Sequence, residues 1–151
     1  MTEIQAAVGR IQLEKMAKWT ALRNRNSNIL EKVLKKHSDL VRIFETPNFI
    51  VNANYKVYAY LNENSLKKSW NRNKIIKVIN EAGVPCFSGS CSEIYKEKAF
   101  KKSAFMPKED LPNAKKLGET SLMFLCHPTL TIDDMKWCGK NIDYIFAKAA
   151  K

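Results

Sequence analysis

Residues 1–37, MTEIQAAVGRIQLEKMAKWTALRNRNSNILEKVLKKH, decide the fold. Ile4, Ala7, Val8 and Ile11, then Leu22, Ile29, Leu30, Val33 and Leu34, recur at helical spacing, which predicts one long helix, or two in series, from residue 2 to about 37. Thr2 followed three residues later by Gln5 has the capping-box pattern. A helix this long usually bridges two bodies. Ala6, Ala7 and Gly9 leave room for another backbone, and Gly9 costs a helix interior about 1 kcal/mol against alanine. Packing against a partner would offset that cost; simple tolerance of the glycine is the alternative.

Downstream, Leu40 to Phe44 changes to a short extended run stopped by Pro47, and Tyr55 to Leu61 alternates aromatic and aliphatic residues as a strand does. The two are expected to pair antiparallel across a wide connection in which Asn48, Asn52 and Asn54 suit a turn. Trp70 to Ala82 sets Ile75, Ile76 and Ile79 on one helical face, with Gly83 as its left-handed stop. Val84 to Phe87 reads as a brief strand, SGSCSEIY (residues 88–95) as a polar loop opening into a helical turn, and Lys96 to Pro112 as an irregular basic segment broken by two prolines. Ser121 to Cys126 is apolar enough for a buried strand, ended by Pro128. Thr131 then starts a terminal helix whose first-turn Asp133 and Asp134 complement its dipole, with Ile132, Met135, Ile142, Ile145 and Phe146 on its apolar side. This order predicts one α+β domain over residues 1–151: a long N-terminal helix followed by a small, mainly antiparallel sheet packed with helices.

The 151 residues are 45% hydrophobic, enough for a core of their own. No apolar run approaches the ~20 residues that span a bilayer, and polar Thr2, Glu3 and Gln5 stand where a signal peptide needs a basic start and an apolar run. A cytoplasmic protein without a membrane partner is therefore expected. The net charge of +11 favours anions on encounter, but the lysines are dispersed over Lys15, Lys32, Lys56, Lys77, Lys101, Lys115 and Lys148, with short clusters at Lys35–Lys36, Lys67–Lys68 and Lys101–Lys102. That is the pattern of a solvated surface. Cys86, Cys91, Cys126 and Cys138 carry no mark of secretion, so reduced thiols are expected. A zinc set of Cys86, Cys91, Cys126 and His127 lacks the usual Cys-x-x-Cys spacing, and no metal is expected.

No self-contained active site is legible: there is no nucleophile elbow, phosphate-binding glycine loop or HExxH, and the only histidines are His37 and His127. The run Cys86–Ser92 joins a glycine that permits close backbone approach to three hydroxyls and opens into a helical turn near Glu93. Such a loop suits a phosphate or sugar hydroxyls, or is a capped turn and nothing more. His127 follows a buried strand, where an imidazole either meets a cleft or bonds a nearby carbonyl or water. Cys91 would be reactive only if exposed or of thiolate character.

MTEIQAAVGRIQLEKM at the head (residues 1–16), NEAGVP in the middle (residues 80–85) and LGETSLMFLCHPTLTIDDM near the tail (residues 117–135) together resemble the C-terminal segment of the DegT/StrS-type sugar aminotransferases. The resemblance implies the small C-terminal domain of a type I aminotransferase fold, with residues 1–37 as the helix linking to a large domain. In that family the helix is entered through Asn-x-Arg just before the Met, and the lysine that holds pyridoxal phosphate lies further upstream. It implies a homodimeric parent that transfers an amino group from an amino acid, typically glutamate, to a nucleotide-linked keto sugar, for amino sugars of a bacterial surface polysaccharide. The 151 residues alone are expected to be inactive and to hold no cofactor, and no catalytic residue is assigned among them.

Many relatives carry a Tyr-x-Pro-x-Pro-like segment where this chain has CFSGSCSEIY. That departure makes Ser88, Gly89, Ser90, Cys91 and Tyr95 candidates for sugar or nucleotide contact. His127 joins them from its position in the family's Leu-Pro-Leu-x-Pro-like ending. Two other classes compete: a stand-alone nucleic-acid-binding module stacking bases on Tyr55, Tyr58 or Tyr60, and a dimerisation domain built on the long helix. Dispersed charge and the lack of an RNP-like motif count against the first.

Overall fold

In the computed structural model, which describes residues 1–100, 103–104 and 106–151, helix α1 runs unbroken from Glu3 to Lys35. The predicted capping box forms: the Thr2 hydroxyl accepts from the Gln5 N–H, and the Gln5 side-chain oxygen accepts from the Thr2 N–H at 2.9 Å. The two halves of α1 differ sharply. In the second, Asn26, Ser27, Leu30 and Leu34 are buried. In the first, Ile4 is 78% exposed, and Val8, Ile11, Leu13, Met16 and Trp19 also face solvent. Among the described residues nothing beyond the helix's own backbone lies within 4 Å of where a Cβ on Gly9 would stand.

Strands β1 (Val41–Ile43) and β2 (Lys56–Leu61) pair antiparallel, Val41 opposite Leu61, as the sequence predicts. Phe44 falls outside β1 and is exposed, because the turn toward Pro47 carries it off the sheet. Helix α2 (Arg72–Glu81) stops at Gly83, whose φ of +82° is the left-handed conformation expected of it. Strand β3 is only Cys86–Phe87, and β4 spans Ser121–Leu125. The sheet order is β1-β2-β4-β3, antiparallel throughout, which leaves β1 and β3 at the edges. Helix α4 (Ile132–Ala149) is capped by Thr131, whose hydroxyl and N–H both bond the Asp134 carboxylate; these bonds hold that carboxyl below its usual range.

Alternation along the strands sorts the sheet into two faces. Val57, Ala59, Leu61, Leu122, Phe124, Cys86 and Val41 point into one core with Leu30 and Leu34 of α1, Ile75 and Ile79 of α2, and Met135, Ile142, Ile145 and Phe146 of α4. Each fully buried large side chain stabilises the fold by roughly 1.5–3 kcal/mol. Ile132, expected on the apolar side of α4, is instead half-exposed in the first turn. The opposite face carries Lys56, Tyr58 and Tyr60, half-exposed. His37, in the turn after α1, closes the core edge: its Nε2 lies 2.7 Å from Asp143 of α4 and its ring stands edge-on to Phe146.

One helix was not predicted. Pro112–Thr120 forms α3 directly before β4, with Pro112 pre-set for the first turn and no side-chain cap on Leu111. The helix is nine residues long, opens on a proline without a capping side chain and contains Gly118, so the segment reads as the end of the irregular stretch before it. The Lys101–Lys102 pair lies outside the described residues.

The unequal halves of α1 give a direct expectation for the 151-residue chain. In chemical denaturation, Leu34→Ala lowers the unfolding free energy by about 2–5 kcal/mol, whereas Leu13→Ala stays within about 0.5 kcal/mol of the parent sequence; equal losses would show that residues 1–19 are packed.

Candidate functional site

Beyond β3 the chain turns at Ser88–Gly89 and crosses the open face of the sheet. Gly89 has φ +90°, and a Cβ there would stand 3.3 Å from the Tyr58 ring and 3.5 Å from Ser121 Oγ, so only glycine fits both the backbone and the space. The Ser121 hydroxyl donates to the Ser88 carbonyl and fixes the crossing. Ser90 and Cys91 then stand exposed. Ser92 seats against Gly118 of α3, where an added Cβ would fall 2.0 Å from the serine oxygen.

Tyr95 anchors the far end of this loop. It is buried in a 3₁₀ turn (Ile94–Lys96), its hydroxyl donating to Glu93 at 2.8 Å and accepting from the Leu111 N–H at 3.1 Å. Lys96 bridges Glu93 at 2.9 Å and Asp110 at 3.2 Å. The hydrogen bonds from Lys96 and then Tyr95 hold the Glu93 carboxyl below its usual range, while Glu93 and Asp110 push Lys96 up. Tyr95 therefore latches the loop from inside, and its hydroxyl is already used as both donor and acceptor.

Ser88 and Gly89 form one wall of a groove of about 630 Å³ whose other wall is α2, through Arg72, Asn73 and Lys77. The open edge of β3 below it is covered by Asn80, whose side chain accepts from the Cys86 N–H at 3.1 Å and donates to the Cys86 carbonyl at 2.7 Å. Arg72 was not a candidate from sequence. It lies one residue inside α2, after the Asn71 cap, where nothing distinguishes it from a surface arginine. In the structure its Nε and Nη1 are shut off from solvent without any hydrogen-bond partner, and among the described residues no other buried side-chain polar atoms are left so.

His127 is not part of this groove. It follows β4 at the end opposite Ser121, six residues and about 20 Å away along an extended strand. Its exposed ring places Nδ1 2.7 Å from the Thr129 hydroxyl, and its carbonyl accepts from Asn26 at 2.8 Å. The asparagines expected in the β1–β2 connection gather at this end too. Asn54 donates to Ser27 at 2.7 Å, and Asn24 donates to the Asn52 carbonyl, tying the connection to α1 beside a cavity of about 490 Å³.

The thiols are not activated. Burial pushes Cys86 up to about 12 and Cys126 up to about 11, and raises Cys138 as well. Exposed Cys91 is raised because its Sγ–H donates to the Glu97 carboxylate at 3.2 Å, which favours the protonated form. Among the described residues no group of three or more His, Cys, Asp or Glu could hold a metal. Of the described lysines all are exposed except Lys56, which is half-exposed with its ammonium 5.2 Å from the Tyr55 ring centre. None is a buried amine in a cavity, so these residues do not fit a pyridoxal phosphate seat. Of the tyrosines that a nucleic-acid module would use, Tyr58 lies under Gly89 and Tyr60 has the Arg42 guanidinium 5.0 Å from its ring centre, while Tyr55 is exposed beside Arg23 and Lys56.

The family model described as the DegT/DnrJ/EryC1/StrS aminotransferase family matches residues 1–142. Among solved structures, an aminotransferase from Psychrobacter cryohalolentis is 47% identical with a TM-score of 0.89, the match covering 99% of this chain and 40% of that one. The fold is shared with the sugar aminotransferase CalS13 from Micromonospora echinospora at 17% identity and TM-score 0.77, over 95% of this chain and 35% of that one. It is shared also with Helicobacter pylori PseC, an aminotransferase involved in the biosynthesis of pseudoaminic acid, at 15% identity and TM-score 0.78, over 98% and 38%. The chain thus spans about 40% of the length of the Psychrobacter protein. No curated protein matches it.

Thiol labelling of the folded chain at pH 8 is expected to modify Cys91 first and to leave Cys86 and Cys126 unmodified. Glu97→Gln should speed the Cys91 reaction, because losing the accepting carboxylate lowers the thiol pKa and raises the thiolate fraction. A slower reaction in that variant would contradict the assigned hydrogen bond.

Proposed function

The chain belongs to the DegT/DnrJ/EryC1/StrS aminotransferase family, and we propose that it is the small C-terminal domain of a sugar aminotransferase. The observation that carries this is the 47% identity sustained over 99% of the chain, with the family match reaching from residue 1 to 142. The parent enzyme moves an amino group from an amino acid, glutamate by preference, to a nucleotide-linked keto sugar. It acts in the cytoplasm as a homodimer in amino-sugar synthesis for a surface polysaccharide.

Pyridoxal phosphate supplies the electron sink for such a transfer when bound. The cofactor and its lysine come from outside these residues. The exposed apolar half of α1 is the surface on which the rest of the parent packs, which accounts for Ile4, Val8, Ile11 and Met16 standing in water here. Within the domain, Ser88, Gly89, Ser90 and Cys91 contact the sugar nucleotide. Tyr95 holds their loop in place, and His127 serves the opposite end of the sheet.

The test compares the 151-residue chain with the protein extended through its upstream reading frame. Glutamate-dependent amination of uridine- and thymidine-diphosphate keto sugars is expected from the extended protein, together with bound pyridoxal phosphate, and from the chain alone neither. A folded extended protein that neither binds the cofactor nor transfers an amino group would sink the proposal.

A further inference from the structure

Among the described residues the other buried side-chain polar atoms are satisfied. Asn26 donates to the His127 carbonyl, Ser27 to the Asn24 carbonyl, Thr120 to the Lys116 carbonyl and Ser121 to the Ser88 carbonyl. Arg72 breaks the rule, with Nε and Nη1 dry and unbonded. An arginine keeps its charge and offers five donors in a planar fork. Arg72 as a whole is half-buried, but a donor shut off from solvent without an acceptor is costly, and a bound ligand is one way for a fold to supply that acceptor.

The surroundings specify the acceptor. Arg72 lines the groove of about 630 Å³ between α2 and Phe87–Gly89, and no carboxylate lines it. The second cation, Lys77, is held only by an exposed pair with Glu81 at 3.8 Å, too weak to neutralise it for an incoming anion. Across the groove stand Ser88 and Gly89, the glycine packed with its Cβ position toward Tyr58 and Ser121 of the sheet. Two cations with a serine opposite match a group carrying two negative charges and several acceptor oxygens. That describes a phosphate or diphosphate better than a single carboxylate.

We infer that Arg72 is the phosphate receptor of this domain, its guanidinium turning into the groove to clasp a phosphate of the nucleotide-linked sugar opposite Ser88 and Gly89. The inference rests on the substrate class proposed above and adds to it a residue and a chemical group.

Calorimetric titration of the 151-residue chain with pyrophosphate at low ionic strength, paired with thermal melting, tests it. Arg72→Gln should weaken pyrophosphate binding by at least about tenfold, the loss expected for a charge-assisted hydrogen bond. Lys140→Gln, on α4, should leave it unchanged. Arg72→Met should abolish binding yet raise the melting temperature of the unliganded chain, since it replaces two buried, unbonded guanidinium nitrogens by an apolar side chain. A structural arginine would do the reverse: a lower melting temperature in Arg72→Met, or binding unaffected in Arg72→Gln, overturns the assignment. Equal affinity for acetate and pyrophosphate overturns it too, marking a carboxylate site. If pyrophosphate binds through Arg72 but the extended protein transfers no amino group, the receptor stands and the sugar reading falls. If amino transfer proceeds with a KM for the nucleotide sugar untouched by Arg72→Lys, the receptor falls and the sugar reading stands.

Discussion

The packing of residues 26–34 of α1 beneath the sheet is the constraint on which the rest of this structure depends. Leu30 and Leu34 fill the core shared by β1, β2 and α4, and Asn26 reaches across to the carbonyls of His127 and Leu130, fixing the turn from β4 into α4. His37 then clamps the end of the same helix to Asp143. Helix, sheet and terminal helix are thereby registered against one another by side chains drawn from residues 26–37 alone. The other half of α1 has no such partner. Helices gain most of their stability from tertiary packing rather than propensity, and here about five turns carry their apolar residues in water.

A second constraint acts at the far edge. Strand β3 is two residues long, and Asn80 occupies the hydrogen-bonding positions of Cys86 that a further strand would take. The edge is closed to sheet extension, and the chain is free to leave at Ser88. It is then pinned three times: by Ser121 at Ser88, by the close seat of Ser92 on Gly118, and by Tyr95 between Glu93 and Leu111. A loop held at that density presents Ser88, Ser90 and Cys91 on a fixed frame, which a binding wall requires.

Much of this was legible from residues alone. The alternation in Tyr55–Leu61, the Gly83 stop and the Thr131 cap each rest on one local rule that nothing in the tertiary structure opposes, and each element stands where that rule puts it. Helix α3 escaped because it is short, uncapped, and carries Pro112 and Gly118, which read as loop residues. Tyr95 and His127 were legible as polar residues near a cleft. What the sequence does not show is that one is locked inside its loop while the other lies at the opposite end of β4 from Ser88. Arg72 was invisible because its distinction is an absence of partners, and that is a property of three-dimensional packing rather than of spacing.

Amide hydrogen exchange along α1, measured on the 151-residue chain at monomeric dilution, tests the central claim most directly. The account predicts that amides of residues 26–35 exchange only with global unfolding, while those of residues 6–19 exchange orders of magnitude faster through local opening. Uniform protection along the whole helix in the monomer would contradict it, because residues 1–19 would then need no covering partner.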